Sequence, residues 1–404
     1  MIELLFNFVE TIAQTFFVFI FSCINNPYLK FMRTTKNLLL SLFICAAALM
    51  ITSYSANARP MAGDTITKAG VKSSMRLVAD WQIEHKFKYP EYDWTAGALY
   101  AGMAEWAKIA GNDTYWNYLT GVGKRLNWGD GPRLYHADDL CVGQMYVELY
   151  RKYDKKYMMQ PTLNAITYIS DCPSNNSLDF SIKGCQDRWA WCDALFMAPT
   201  VWAKMYNVTK DKRYSTFLDK EFKATTTYLY DKDEHLYFRD SGYFTKTEKN
   251  GKKVFWGRGN GWVFAGISII LTELPRDYKN RKMYEKVYLA MAEKLASLQG
   301  PDGYWHASLL DPDSYPNPET SASGFNCYGL AWGINNGYLP KEKYLPIVMK
   351  AWDALAHSVD PDGKLCWVQP IGADPKKVTR EMTEIYGIGA YLLAGTEMVK
   401  LLEK

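Results

Sequence analysis

The stretch RWAWCDALFMAPTVWAKMYNVTKD, residues 188–211, combines small residues and aromatic rings with one carboxylate, Asp193, before a charged end. Read at helical spacing, Trp189, Asp193 and Phe196 share one face, so the acid lies on the apolar side of a predicted helix. A buried carboxylate without a partner is unfavourable because it loses its hydration. We therefore expect Asp193 to pair with Arg188, to cap a neighbouring helix, or to perform chemistry.

Stretches of this kind recur along the chain, each rich in Gly and Ala with a polar residue near its start. The five others begin at Asp93, His136, Gly257, Ser321 and Glu381. A more charged helical segment follows each of the first five in chain order. These charged segments begin near Tyr115, Tyr157, Tyr214, Tyr284 and Tyr344.

Small residues allow inner helices to approach one another closely, whereas charged helices face water. The alternation therefore predicts an all-α fold, an (α/α)6 barrel of six helical hairpins in which more than half of the mature chain is helical. Twelve helices are expected, and the outer helix that completes the ring is expected within residues 71–88.

Composition limits the function classes. The chain has 404 residues, 48% of them hydrophobic, which is enough for a large core. Its net charge of +4 comes without a basic run or stripe, which argues against a nucleic-acid partner. The 14 Trp and 29 Tyr are typical of sugar-binding surfaces, although large helical cores use them too.

The sequence of residues 1–58 predicts a targeting segment and not a part of the folded domain. From Met32 the sequence has a basic start, an apolar run and a small-x-small site that ends at Ala58, as in a secretory signal peptide. We expect translation from Met32, export to the periplasm, and no stable membrane insertion after cleavage. A membrane helix over 12–24 is the alternative, and it is short for a span. Residues 59–404 then form a single catalytic domain.

Six of the eight cysteines lie in this mature region, without a CxxC pair or zinc spacing. The sequence therefore predicts no metal site. Cys172 and Cys185 bracket a polar loop of the kind that an oxidising compartment could close, and we expect a disulfide between them. The other four are expected to be buried thiols.

In such a barrel the N-termini of the inner helices open toward one face, so polar residues at their starts converge on one cleft. These residues are Asp93, Asp138, Asp139, Asp193, Arg258, Asn260, Ser321, Ser323 and Thr383. One polar residue at a helix start is commonly a cap. Capping does not explain two successive acids, or an acid that follows Trp-Ala-Trp-Cys.

Four motifs, taken in order, resemble the unsaturated uronyl hydrolases of glycoside hydrolase family 105, which is related to family 88. They are HADDLCVGQ, WCDALFMAP, WGRGNGW and ETSASGFNCYGLAWGINNGYL, and the resemblance covers roughly residues 75–402. It implies a barrel enzyme that removes a 4,5-unsaturated galacturonyl or glucuronyl group from the non-reducing end of oligosaccharides left by polysaccharide lyases. Pectin or rhamnogalacturonan is the implied polymer, and no cofactor is implied.

By matching position, the resemblance makes Asp193 the general acid/base, Asp139 the second acid, and Arg258 with Trp262 the substrate-contacting pair. Hydration of the C4=C5 bond needs one carboxyl group that gives and then takes a proton. Aromatic neighbours would raise the pKa of Asp193 by desolvation. Only one of Asp138 and Asp139 can face the cleft, since successive helical side chains diverge by about 100°, and the family match favours Asp139.

Further substrate contacts are expected from residues in or beside these motifs. They are Trp189, Asp93, Arg239, Asn260 and His136. Arg258 suits bidentate binding of the uronate carboxylate. Rhamnogalacturonan-directed members carry a histidine where this chain has Arg239 in LYFRDSGYF, so the aglycone need not be rhamnose.

Three rival functions fit parts of this pattern. An inverting (α/α)6 glycoside hydrolase would cut an ordinary glycosidic bond with Asp193 and one of Asp138 and Asp139. A sugar-binding barrel would have no activity. An epimerase of related architecture would need histidines on several inner helices, and these are missing from the sequence.

Overall fold

The computed structural model describes residues 66–403. Helix makes up 60% of this part of the chain, which confirms the predicted all-α class. The described residues all fall within one compact unit, 60–404. The predicted signal peptide and its cleavage after Ala58 lie outside the described residues.

Six inner helical units surround a common axis. They are α2 (Trp94–Ile109), α4 with α5 (Ala137–Leu140 and Gly143–Tyr153), α7 with α8 (Ala194–Met197 and Pro199–Thr209), α10 (Gly257–Glu273), α12 (Thr320–Asn335) and α14 (Ile385–Leu402). Neighbouring units contact each other in this order, and α14 contacts α2. The ring is therefore closed.

Six outer helices alternate with the inner units along the chain. They are α1 (Lys68–Glu84), α3 (Thr114–Arg125), α6 (Gln160–Asp171), α9 (Lys212–Leu229), α11 (Arg281–Ser297) and α13 (Lys341–His357). Within the described residues this is the predicted (α/α)6 barrel, with two of the inner units broken into two helices. A hairpin of β1 (Tyr230–Asp231) and β2 (Leu236–Tyr237) joins α9 to α10.

Glycines let the inner helices meet backbone to backbone. A Cβ atom at Gly102 of α2 would collide with the carbonyl group of Gly389 on α14, and one at Gly389 would collide with the carbonyl group of Ala98. Among the described helices only α14 is long and apolar enough to cross a membrane, and 89% of it is buried inside the barrel. It is accordingly placed as a core helix of the ring.

The predicted disulfide is absent. Cys172 and Cys185 are both free, the first exposed at the end of α6 and the second buried with its Sγ 3.8 Å from the carbonyl oxygen of Phe180. A side-chain hydrogen bond closes the loop instead, since Asn176 Nδ2 donates to the carbonyl oxygen of Gly184 at 3.0 Å. The remaining described cysteines are buried free thiols, as expected: Cys141, Cys192, Cys327 and Cys366.

Charged side chains fill the mouth formed by the C-terminal ends of the inner helices, around a cavity of about 690 Å³. Lys204 donates to Glu148 and, at 3.2 Å, to Glu273. Arg151 binds the same two carboxylates at 2.7 and 2.6 Å, and Lys108 reaches Glu148 at 2.9 Å. The network joins four inner units, and because its acids and bases pair with one another, this mouth is a structural clamp.

Replacing Lys204 by Met tests this clamp. Burial disfavours the charge of Glu273, but Lys204 and Arg151 outweigh burial and hold its pKa at about 2, below the ordinary value of 4.5. The stabilisation is therefore complete above about pH 4.5 and is lost as pH falls toward 2. Lys204→Met should lower the free energy of unfolding by about 3 kcal/mol at neutral pH, and it should lose less stability than the parent on acidification.

Urea unfolding at pH 7 and pH 3 measures both effects. Lys343→Met, which removes an exposed pair with Glu293, is the control and should change stability by less than about 1 kcal/mol. Equal unfolding free energies for the Lys204 and Lys343 variants would contradict the clamp.

Candidate active site

Asp193 lies in a turn at the start of α7, at the mouth opposite the clamp. Residues 189–193 are not helical, which corrects the expectation that Trp189 and Asp193 share a helix face. The turn is held because the backbone N–H of Cys192 donates to the carbonyl oxygen of Arg239 at 2.8 Å. The Asp193 side chain is 13% exposed, with Arg239 Nε 3.8 Å from Oδ2.

Two structural explanations for Asp193 do not hold. Arg188 donates from Nε and Nη2 to Glu221, at 2.9 and 3.2 Å, and not to Asp193. Asp193 precedes α7 but makes no side-chain capping hydrogen bond. Burial raises the pKa of its carboxyl group, and the charges of Arg239 and Arg258 only partly oppose this rise. Burial thus favours the protonated form of the Asp193 carboxyl group. This group does not cap the helix that follows it.

Two more carboxyl groups belong to the same mouth. Asp138 lies on α4 and is 19% exposed. Burial, followed by the negative charges of Asp193 and Asp93, raises the pKa of Asp138 to about 8. Asp93 caps α2, where its Oδ1 accepts from the backbone N–H of Thr95 at 2.9 Å. Three successive inner units thus each contribute one acid to the cleft.

Asp139 faces away from this acid cluster. Its carboxylate accepts from the backbone N–H of Arg133 at 2.7 Å and from Arg133 Nε at 3.1 Å. Gly131 packs directly against the same carboxylate, so that a Cβ there would collide with it. The structure therefore corrects the choice between the two neighbouring acids: Asp138 faces the cleft, and Asp139 holds the loop before α4.

Arg258 is fully buried and its terminal nitrogens are already occupied. Nη1 donates to the carbonyl oxygen of Gln369, and Nη2 donates to that of Pro370 at 3.0 Å. The guanidinium lies between the rings of Trp256 and Tyr386, 4.5 and 4.7 Å from their centroids. This differs from the expected bidentate carboxylate clamp, since Arg258 anchors a loop while its charge acts on Asp193.

Three other predicted substrate contacts lie in the protein interior. Trp262 is buried beneath the mouth, 4.8 Å from Phe196 between ring centroids. Trp189 packs edge-on against Trp202 at 5.8 Å, toward the outer helices. Asn260 binds β2, accepting from the backbone N–H of Tyr237 at 2.8 Å. Their roles in this structure are packing and backbone anchoring.

His136 and Arg239 lie beside the acids of this mouth. His136 caps α4, where its Nδ1 accepts from the backbone N–H of Asp138 at 3.3 Å. Burial and the charge of Arg133 lower the pKa of His136 to about 4, so it is neutral at pH 7. No group of three or more His, Cys, Asp or Glu side chains within residues 66–403 is arranged to hold a metal ion.

Gln369 connects the parts of the site and was not predicted. Its carbonyl oxygen accepts from Arg258 and from the hydroxyl of Tyr386, and its backbone N–H donates to Glu319 at 3.0 Å. Trp256 Nε1 donates to its side-chain oxygen at 3.2 Å. No local pattern marks this residue, because these four partners lie 17 to 113 residues away in the chain.

A closed (α/α)6 barrel with a cluster of carboxyl groups at one mouth fits a glycosidase, and the family match and relatives below show that class. The sequence profile of Glycosyl Hydrolase Family 88 matches residues 67–402, and the chain belongs to this family. The resemblance to family 105 and its relative family 88 is thereby confirmed.

Two relatives carry the same enzyme name. Unsaturated 3S-rhamnoglycuronyl hydrolase from Alteromonas sp. is 39% identical over 318 residues, covering 76% of this chain and 77% of that protein. The protein of the same name from Formosa agariphila is 39% identical over 346 residues, covering 82% and 91%. A solved structure titled Glycosyl hydrolase family 88 from Bacteroides vulgatus has a TM-score of 0.77 at 32% identity, covering 83% and 100%. The chain is a hydrolase that removes unsaturated uronic acid from oligosaccharides.

The two neighbouring acids should behave differently when each is changed to Asn. Asp138 is largely protonated at neutral pH, and Asn is also a neutral hydrogen-bond donor, so Asp138→Asn should keep measurable activity. In the parent, ionisation of Asp138 near pH 8 should make activity fall on the basic side of the pH profile. Asp138→Asn should lack this fall. Asp139→Asn should keep this fall and melt at a lower temperature, because Arg133 loses its ionic partner.

Profiles of kcat/KM against pH and thermal melts of both variants check this assignment. A fall on the basic side that disappears in Asp139→Asn and persists in Asp138→Asn would contradict it.

Proposed function

We propose that the chain hydrates the C4=C5 bond of a terminal unsaturated uronyl group, with Asp193 as both acid and base. The observation that carries the proposal is the buried Asp193 carboxyl group, which has a raised pKa and no capping role. Asp138 and Arg239 flank it. A carboxyl group whose pKa is raised by burial is better suited to give a proton to carbon than an exposed one.

The steps follow from the enol ether. Asp193 gives its proton to C4, which leaves an oxocarbenium-like centre shared by C5 and the ring oxygen. Water then adds to C5 and returns one proton to Asp193, giving a hemiketal. The C5–O5 bond opens to a C5 ketone, and the hemiacetal left at C1 releases the aglycone. The carboxyl group is restored, so the net consumption is one water.

Asp138 supports the same reaction from across the mouth. With a pKa of about 8 it carries its proton at neutral pH and can donate a hydrogen bond to a hydroxyl or to the attacking water. An inverting hydrolase instead requires one ionised carboxylate as base beside a separate acid. Burial raises the pKa of both Asp138 and Asp193, which is the direction that proton donation to carbon requires.

The aglycone that we propose is a 3-sulfated rhamnose. Two relatives at 39% identity are named unsaturated 3S-rhamnoglycuronyl hydrolases, and these names support a sulfated partner sugar. A recess of about 430 Å³ is lined by Lys249, Lys376 and Lys377 and by one acid, Asp313, and this excess of positive charge supports an anionic aglycone. Its loops precede α10, α12 and α14, the inner helices whose N-terminal ends face the same mouth as Asp193. Rates on matched sulfated and desulfated disaccharides test this choice.

Asp193→Asn tests the catalytic role. The substitution keeps the size of the side chain and removes the proton that must move, so kcat should fall by roughly 10²–10⁴-fold or more while the melting temperature stays near that of the parent. Loss of the ultraviolet absorbance of the conjugated C=C–carboxylate in a lyase digest is the readout. A variant that still clears this absorbance at the parental rate would end the proposal, and one that unfolds would point to a structural acid.

We also propose that the protein acts in the periplasm after removal of a signal peptide at Ala58. Support comes from the basic start after Met32, the apolar run and the small-x-small site. N-terminal sequencing of the protein from periplasmic and cytoplasmic fractions should find Arg59 as the first residue of the periplasmic form. An intact start in the cytoplasm alone would contradict export.

A further inference from the structure

Arg239 is the guanidinium closest to Asp193 for which the structure gives a distance. Its Nε lies 3.8 Å from Asp193 Oδ2, and the side chain is 16% exposed. Arg239 lies two residues after the end of β2. Its backbone carbonyl oxygen accepts a hydrogen bond from the backbone N–H of Cys192, the residue before Asp193. Asp193 and Arg239 are therefore fixed to each other through the backbone as well as through charge.

Half of this guanidinium is held in place. Nη1 donates to Asp240 Oδ2 at 2.6 Å, and the guanidinium carbon lies 4.7 Å from the ring centroid of Phe180. Asp240 is itself fixed, since its Oδ1 accepts from the backbone N–H of Gly242 at 2.8 Å. An arginine whose position is set by a carboxylate on one edge and a ring on its face is preorganised for a ligand on its other edge.

The other edge of the guanidinium lacks such a partner. Nε is buried without a hydrogen-bond partner among the described residues. Nε and Nη2 point the same way in a guanidinium, and together they form the side-on pair of donors that matches a carboxylate. A buried donor left unpaired is unfavourable, so a ligand oxygen that satisfies it gains binding free energy.

Arg258 is held differently, although its Nε also lacks a hydrogen-bond partner among the described residues. Both of its terminal nitrogens donate to backbone carbonyl oxygens, those of Gln369 and Pro370, and it is fully buried between two rings. Redirecting it toward a ligand would release the loop that it anchors. Arg258 therefore holds the loop through both terminal nitrogens, whereas the unpartnered Nε of Arg239 lies 3.8 Å from the Asp193 carboxyl group.

The chemistry of the substrate fixes where a carboxylate must lie. In a 4,5-unsaturated uronate the carboxylate is attached to C5, the carbon next to the C4 that receives the proton. Its oxygens must therefore lie within a few ångströms of the Asp193 oxygen that delivers the proton. The Arg239 edge is at that distance.

We infer that Arg239 binds the C5 carboxylate of the unsaturated uronate side-on through Nε and Nη2, and so selects uronic acids over their neutral esters. The inference rests on the proposed reaction at Asp193. It assigns the recognition of the acid group to a residue outside the WGRGNGW motif. A second consequence is electrostatic, because the bound carboxylate neutralises the cation that opposes protonation of Asp193.

The test compares an unsaturated uronyl disaccharide with its C6 methyl ester, which removes the negative charge and keeps the conjugated double bond. For Arg239→Gln, kcat/KM on the acid should fall by about 10²-fold, mainly through KM. On the ester it should fall by less than about 5-fold. Arg239→Lys keeps a point charge and should recover part of the preference for the acid. Arg213→Gln, an equal charge change on the exposed outer helix α9, should leave both substrates unaffected.

The outcomes separate this inference from the proposed function. If the parent clears the disaccharide but Arg239→Gln loses acid and ester to the same extent, Arg239 only positions Asp193, and the assignment of the carboxylate is overturned. If the parent clears neither substrate, the proposed function itself fails. Thermal melts distinguish both results from unfolding, and Arg239→Lys remains available if the Gln variant does not fold.

Discussion

Backbone contact between inner helices is the constraint on which the rest of the structure depends. Gly102 and Gly389 let α2 and α14 touch without intervening side chains, and this contact closes the ring. Once the ring is closed, the starts of all six inner units face one mouth and their ends face the other. Polar residues that are far apart in sequence, such as Asp93, Asp138 and Asp193, thereby become neighbours.

Buried carboxyl groups have opposite pKa shifts at the two mouths of the barrel. At the C-terminal mouth Glu148 and Glu273 are matched by cations, and the balance lowers their pKa values. At the N-terminal mouth burial outweighs the nearby cations and raises the pKa of Asp138 and of Asp193. Matched charges stabilise the fold, whereas carboxyl groups with raised pKa values are suited to proton transfer. The same barrel thus carries a clamp at one end and a reaction site at the other.

Much of the fold was predictable because the pattern repeats. Small-residue stretches recur six times, and α1 lies at 68–84, close to the expected 71–88. Breaks in the helices inside repeats were not predictable. Residues 189–193 follow a helical pattern in the sequence, but a backbone hydrogen bond from Cys192 to Arg239 holds them as a turn. Only a contact across 47 residues decides that conformation.

The candidate site was predictable in its main acid and not in its partners. The aromatic and small residues around Asp193 are enough to single it out in the sequence. The choice between Asp138 and Asp139 depends on Arg133, and the use of Arg258 depends on Gln369, which lies 111 residues further along the chain. Hydrogen bonds of this kind leave no periodic signal, so family position favoured Asp139 where geometry favours Asp138.

Isotope labelling of the product tests the central claim most directly. The reaction is run in ¹⁸O-labelled water and, separately, in D₂O, and the released uronate is analysed by mass spectrometry and NMR at early times. Hydration at C4=C5 predicts ¹⁸O at C5 and one deuterium at C4, with no label in the bond to the aglycone. Label at C1 of a uronate that still carries its double bond would contradict the account, because it would mean that water attacks the glycosidic carbon.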